Sequence, residues 1–135
     1  MSAVAAALHL GCILFGASWY RFFGAGEKMI RLVEAGSAYP TRVTLCIAAL
    51  LLIWAAYAFS GAGLIPRLPF LRFALCAIAL AYLVRGFGFF PLMRLIPGNS
   101  PAFWLWSSVI CAGIGAVHAL GIRQAWPALS LGAAS

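Results

Sequence analysis

Aspartate is absent from this chain, and its acidic side chains amount to Glu27 and Glu34. That excludes an Asp-based triad or an Asp-based metal cluster, and it leaves any carboxylate chemistry to two residues. Charge of either sign is scarce: 8% of residues are charged, where a soluble domain carries roughly 25%. A chain so poor in charge cannot cover a water-facing surface. CxxC pairs are missing too. Cys12, Cys46, Cys76 and Cys111 stand one to each apolar segment, which excludes thioredoxin-type exchange and zinc-ligand spacing and leaves them as small apolar fillers. Basic runs interleaved with aromatics are absent, so nothing here tracks a phosphate backbone, and nucleic acid is excluded as a partner. No glycine-rich phosphate loop follows a strand, and Asn99-Ser100-Pro101 is not a glycosylation sequon. The first seven residues lack a basic n-region and a clear cleavage site, and the apolar stretch behind them is too long for a signal segment, so it reads as a retained first helix.

What fills the chain is apolar: 65% of its 135 residues are hydrophobic and 14% aromatic, with a mean hydropathy of +1.05. The implied solvent is lipid. Each bilayer crossing takes roughly 20 apolar residues, so a chain of this length accommodates four, with no separate water-soluble domain. The expected fold class is all-α: an integral membrane four-helix bundle, residues 1–135 forming one transmembrane domain.

The spans are expected at about 3–23, 43–65, 70–90 and 102–122. Trp19 and Tyr20, then Arg21, close the first at an interface. Arg42 and Pro40 precede the second, Ser60 to Gly63 loosen its end, and Pro66 and Pro69 stop it. Arg72 and Arg85 lie near the two ends of the third. Phe103, Trp104 and Trp106 open the fourth, and Arg123 closes it. The connection between spans two and three is a tight proline turn; that between three and four, with Pro91, Pro97, Gly98, Asn99 and Pro101, reads as an irregular loop. The first connection is different. At about 24–37, Ala25, Met29, Leu32, Val33 and Gly36 recur at helical spacing opposite Glu27, Arg31 and Glu34. This predicts a short amphipathic surface helix between spans one and two, with Arg31 paired to Glu27 and Glu34 along its own face.

The net charge of +7 is spread singly between the apolar segments as topology signals. Arg21, Lys28, Arg31, Arg42 and Arg94 fall on one side, and Arg67, Arg72 and Arg123 on the other. The positive-inside rule then places both termini outside.

Three sites follow from residue type and depth. Arg85 sits about one turn inside the end of span three, where an ionisable group must be paired or hydrated. Glu27, Arg31 and Glu34 share its side, together with Ser107 and Ser108 early in span four, and Tyr82 lies one turn away. The cluster reads as a polar vestibule that binds, passes or senses a small or anionic ligand: an anionic headgroup, a carboxylate or an ion. The structural alternative is that Arg85 snorkels to the interface and pairs with Glu27 or Glu34. The second site is the histidine pair. His9 lies about 6 Å from the middle of span one, and His118 about 9 Å from the middle of span four, at matching ends of an up-down bundle. If spans one and four are neighbours, facing imidazoles could hold a b-type haem iron, a transition metal or a quinone, and ligation of haem or metal makes a redox protein the alternative function; the leading reading carries no cofactor. The third is the small-residue ridge Ser108, Ala112, Gly115 and Ala119, which lets another backbone approach within the bundle, across a homo-oligomer, or on a larger membrane partner that this chain would serve as an accessory subunit. Enzymatic chemistry is not the leading class, because Ser107 and Ser108 lack an evident base.

The runs Phe23-Gly24-Ala25-Gly26-Glu27-Lys28-Met29, Tyr39-Pro40, Ser60-Gly61-Ala62-Gly63 and Phe103-Trp104-Leu105-Trp106-Ser107-Ser108 resemble those of small four-span bacterial inner-membrane proteins, and the layout is loosely similar to the DoxX-like group. The resemblance covers nearly the whole chain and implies a four-span fold in a bacterial inner membrane, but its motifs carry no known chemistry. The chain departs from small multidrug transporters in having no glutamate within span one, and from fluoride channels in lacking their Asn and Thr pattern.

Overall fold

A computed structural model describes residues 1–95 and 98–131. Among these the chain is all-helical, in the order α1 (Ser2–Phe15), α2 (Ala17–Phe22), α3 (Glu27–Glu34), α4 (Ala38–Gly61), α5 (Leu71–Phe87), α6 (Phe89–Leu95) and α7 (Pro101–Leu131). Two of them, α4 and α7, are long and apolar enough to cross a membrane, and α1 is a shorter apolar helix.

The first expected span is not one helix. Gly16 adopts φ 66°, ψ −146°, a conformation open in practice only to glycine, and it divides 3–23 into α1 and α2. Beyond the break the chain folds back far enough that a Cβ on Gly11 would lie 2.5 Å from the Trp19 ring. An apolar run signals burial or lipid, but not whether one glycine within it stays helical. The surface helix is also shorter than 24–37. It stops after Glu34 because Gly36, at φ 71°, closes a Schellman turn in which Gly36 and Ser37 donate to the carbonyls of Val33 and Leu32. Its amphipathic character is as expected: Ile30 is buried with Cys12 and Tyr20, with Met29 and Val33 beside them, while Glu27, Lys28, Arg31 and Glu34 are exposed.

The loop expected after span three contains α6. Pro91 falls in its first turn, a position that costs no hydrogen bond, so the proline that suggested a loop is compatible with a helix start; Pro97 lies outside the described residues. Pro101 opens α7 in the same way. The Ser100 hydroxyl accepts from the Phe103 amide at 3.1 Å, satisfying one of the free donors of the helix start. That helix then runs past the expected stop at Ile122 to Leu131, through Pro127. Arg67, from the turn after α4, donates to the carbonyls of Ala128 and Leu129 at 3.2 and 2.7 Å. A cation at the carbonyl end of a helix opposes its dipole and fills acceptors that no amide can reach. The turn is itself anchored, since Ser60 Oγ donates to the Pro66 carbonyl and accepts from the Leu68 amide.

The long helices form two antiparallel pairs, α1 with α4 and α5 with α7, joined mainly where α4 meets α5. A central layer of Ala6, Leu51, Ile78, Tyr82 and Ile114 takes a residue from each of the four. Tyr82 is its junction. Its hydroxyl donates to Ser2 Oγ at 3.0 Å, its ring meets Trp54 edge-on at 4.9 Å, and it lies 5.5 Å from the His118 ring.

Between the long helices, the tightest approach at a glycine lies between α5 and α7. A Cβ on Gly86 would fall 2.6 Å from the Ala112 amide nitrogen, and one on Gly115 would fall 2.9 Å from Leu83. Ser108, Ala112 and Gly115 of the small-residue ridge therefore pack against α5 within the chain, while Ala119 is exposed. Backbone cannot yield as a flexible side chain can, so Gly86→Ala is expected to destabilise by about 1–3 kcal/mol. Gly113 is the control. It sits on α7, next to Ala112, with nothing near a new Cβ, and Gly113→Ala is expected to be neutral or stabilising by up to about 1 kcal/mol. Thermal unfolding followed by circular dichroism reads both.

Candidate functional site

Arg85 lies near the end of α5, and the close approach at Gly86 places its side chain against the first turns of α7. One terminal nitrogen donates to Ser108 Oγ at 3.1 Å and the other to Ser107 Oγ at 2.8 Å. The guanidinium lies over the Trp104 ring, 4.6 Å from its centre. Trp104, Ser107 and Ser108 are i, i+3 and i+4 on one helix and so present a single face to the cation. Ser107 is held in turn by donating to the Trp104 carbonyl at 3.3 Å.

The expected pairing of Arg85 with Glu27 or Glu34 is not made. Glu34 instead accepts from Arg21 at 2.8 Å, the one ion pair among the described residues. The pairing of Arg31 with Glu27 and Glu34 is likewise not made. The break at Gly16 accounts for this: α2 turns back and carries Arg21 onto the charged face of α3. With side chains 60% and 49% exposed, that pair contributes at most about 1 kcal/mol.

The Arg85 charge therefore rests on two hydroxyls and an aromatic face, none of which neutralises it. A guanidinium has five N–H donors, and among the described residues only two find acceptors. Beside it Trp104 is 3% exposed, and its indole Nε1 is buried with no hydrogen-bond partner. The surroundings of the guanidinium are thus rich in donors and short of acceptors. Sequence reasoning found Arg85, Ser107 and Ser108 but missed Trp104, which it read only as one of the aromatics opening the fourth span; the available signal was its i−3 and i−4 spacing from the two serines. Tyr82 does not belong to this site, since it faces Ser2, Trp54 and His118. Glu27 and Arg31 are exposed on α3 and make no contact with Arg85.

The two histidines sit on α1 and α7, which make no extended contact with one another; α1 packs on α4, and α7 on α5. Among the described residues no hydrogen bond or ring contact joins the imidazoles. Each Nδ1 is instead engaged by a carbonyl of its own helix, His9 with Ala5 at 2.8 Å and His118 with Ile114 at 2.9 Å. No three of His, Cys, Asp and Glu come together as a metal-holding group among the described residues.

No protein-family model, curated protein or solved structure matches the chain.

A buried N–H without an acceptor costs about 1–3 kcal/mol. Trp104→Phe removes that donor while keeping most of the ring, so the variant is expected to be as stable as the parent or more stable in ligand-free buffer. A loss beyond about 2 kcal/mol, measured by thermal unfolding, would mean that the indole N–H is satisfied in the native protein.

Proposed function

We propose that this chain is an integral membrane protein crossing the bilayer four times, with α1, α4, α5 and α7 as the spans, and that it binds a small anionic group at Arg85. Support for lipid comes from the outward faces of all four helices. Val4 and Leu14 on α1, Leu45 and Ile53 on α4, Leu80 and Val84 on α5, and Val109 and Leu120 on α7 are all exposed. Soluble proteins rarely expose apolar surface continuously around their circumference. At 1.5 Å per residue α1 is about 21 Å long and α5 about 25 Å, short of a hydrocarbon core of about 30 Å. The shortfall is met by local thinning and by the interfacial helices α2, α3 and α6, which lie at one end of the bundle. That end carries Arg21, Lys28, Arg31, Arg42 and Arg94, so the positive-inside rule makes it cytoplasmic, in a bacterial inner membrane.

One observation carries the anion site: the Arg85 guanidinium rests on two hydroxyls and the face of the Trp104 ring, with no carboxylate beside it. A carboxylate or phosphate oxygen supplies what the guanidinium lacks, a negative charge and lone pairs, and water is poorly placed to compete in so apolar a setting. The serines hold the guanidinium in position and leave its other donors free. Binding, sensing or passage of the anion all begin from this contact.

Two measurements test the proposal. A C-terminal reporter fused after Arg67 and another fused after Gly98 should report opposite sides of the membrane; the same side for both removes the four-span topology. In detergent at matched ionic strength, acetate or inorganic phosphate should raise the unfolding temperature relative to chloride, by an amount equivalent to about 2.7 kcal/mol at a hundred times the Kd. The rise should vanish in Arg85→Gln and shrink in Trp104→Phe. If the parent protein shows no rise, Arg85 is a strut between α5 and α7 and not a receptor.

A further inference from the structure

The other end of the bundle holds a cleft of about 510 Å³ between the end of α4, Leu75 of α5 and the second half of α7, with Met1 at its edge. Small residues open it. Ala58, Gly61 and Ala62 line it from α4, and Gly121 and Ala125 from α7; a Cβ on Gly121 would meet nothing within 4 Å. The walls are mainly apolar. His118 offers them little but ring carbon, because its Nδ1 is engaged by the Ile114 carbonyl at 2.9 Å and its Nε2 is buried. The polar groups within reach of a guest are the Gln124 amide and the Met1 amino group.

Shape and depth select the guest. Val117 and Leu129 both line the cleft, so it runs roughly 18 Å along α7, and 510 Å³ over that length is a channel about 6 Å wide. That width takes a hydrocarbon chain but not a helix, which is about 10 Å across. Trp106 and Trp126 are both exposed on α7, and their separation of roughly 30 Å matches the thickness of a hydrocarbon core. Tryptophans of this kind mark the two interfaces. Val117 then lies about 14 Å inside the Trp126 level, at acyl-chain depth, while Gln124 and Leu129 stand near the headgroups.

Charge selects the headgroup. Arg67 is fixed at the outer end, donating to the carbonyls of Ala128 and Leu129 at 3.2 and 2.7 Å, which leaves other donors of its fork unused. Arg72, one turn before Leu75, lies over the Trp126 ring at 4.6 Å. The Met1 amino group adds a third cation. Both acidic side chains of the chain, Glu27 and Glu34, lie on α3 at the opposite end. Basic groups beside a cleft between spanning helices are a recognised fit for anionic lipid.

On the bilayer reading proposed above, on which this rests, we infer that the cleft holds one phospholipid with an anionic headgroup. An acyl chain fills the channel beside Gly121 and Leu75, and the phosphate lies at the outer end among Arg67, Arg72 and the Met1 amino group. The anion site at Arg85 is at the other end of the bundle and shares no residue with it.

The test is native mass spectrometry of the full chain in mild detergent with equimolar palmitoyl-oleoyl phosphatidylglycerol and phosphatidylcholine. One lipid should be retained per chain, with phosphatidylglycerol preferred about tenfold. Gly121→Leu, which fills the channel, should retain none, whereas Gly113→Leu, the same change on α7 away from the cleft, and Arg85→Gln should behave as the parent. Arg67→Gln combined with Arg72→Gln should keep a lipid but lose the preference; if that variant does not fold, the preference of the parent decides the headgroup. No retained lipid in the parent, equal retention of the two lipids, or loss in Arg85→Gln overturns the assignment, as does retention in Gly121→Leu. A dimer that Gly121→Leu dissolves would instead make a second copy the occupant. The reporter fusions keep the two readings apart: opposite sides with no retained lipid removes this site alone, and the same side removes the bilayer reading with it.

Discussion

The approach of α5 to α7 at Gly86 and Ala112 is the contact from which the rest of the bundle follows. With a Cβ of Gly86 excluded by backbone at 2.6 Å, the two helices meet at a distance that no larger residue allows. At that distance Arg85, next in sequence, falls directly on Trp104, Ser107 and Ser108. Three residues further back, Tyr82 reaches across to α1 and α4 and ties the second hairpin to the first. In a lipid environment, where apolar burial between helices contributes little, such close packing and the hydrogen bonds it permits are the principal sources of cohesion. Gly86 thus serves the fold and the candidate site through one geometric fact.

How much of this was legible in the sequence varies with the kind of signal. Apolar runs of span length marked α4, α5 and α7, with the ends of α4 and α5 misplaced by a few residues and α7 running on from the expected 122 to Leu131, because hydropathy reports composition and not hydrogen bonding. The Glu27, Arg31 and Glu34 stripe opposite Met29 and Val33 revealed α3, since amphipathic period is a direct consequence of helical geometry. The break at Gly16 was not legible: a glycine within an apolar run is equally compatible with a continuous helix, and only its positive φ separates the two. From that one miss came a second, as the turned-back α2 delivers Arg21 to Glu34 and leaves Arg85 without the acidic partner that spacing suggested. Pairing of helices was likewise hidden, so the matched depth of His9 and His118 pointed to a shared site that the α1–α4 and α5–α7 pairing does not build.

Buried polar atoms are almost always satisfied in native proteins, and each exception asks for a reason. Among the described residues, both buried side-chain atoms left without a partner lie on α7, Trp104 Nε1 in its first turn and His118 Nε2 near its middle, where the ring meets Tyr82. The helix that carries them is also the longest, and Arg67 secures its far end.

That placement bears on what a bundle of this size can do. The central layer of Ala6, Leu51, Ile78, Tyr82 and Ile114 packs side chains at near-complete burial across all four long helices, between the two ends. Coupling between the ends, if present, must run through packed side chains, and α5 with α7 provide the contiguous route: Arg85 to Ser108, Gly86 to Ala112, then Tyr82 to His118. Tyr82 stands at the midpoint with its hydroxyl committed to Ser2 and its ring against Trp54 and His118. A shift of α7 along α5 would move Ser107 and Ser108 past the guanidinium and His118 past Tyr82 together, because all three are carried by one continuous helix.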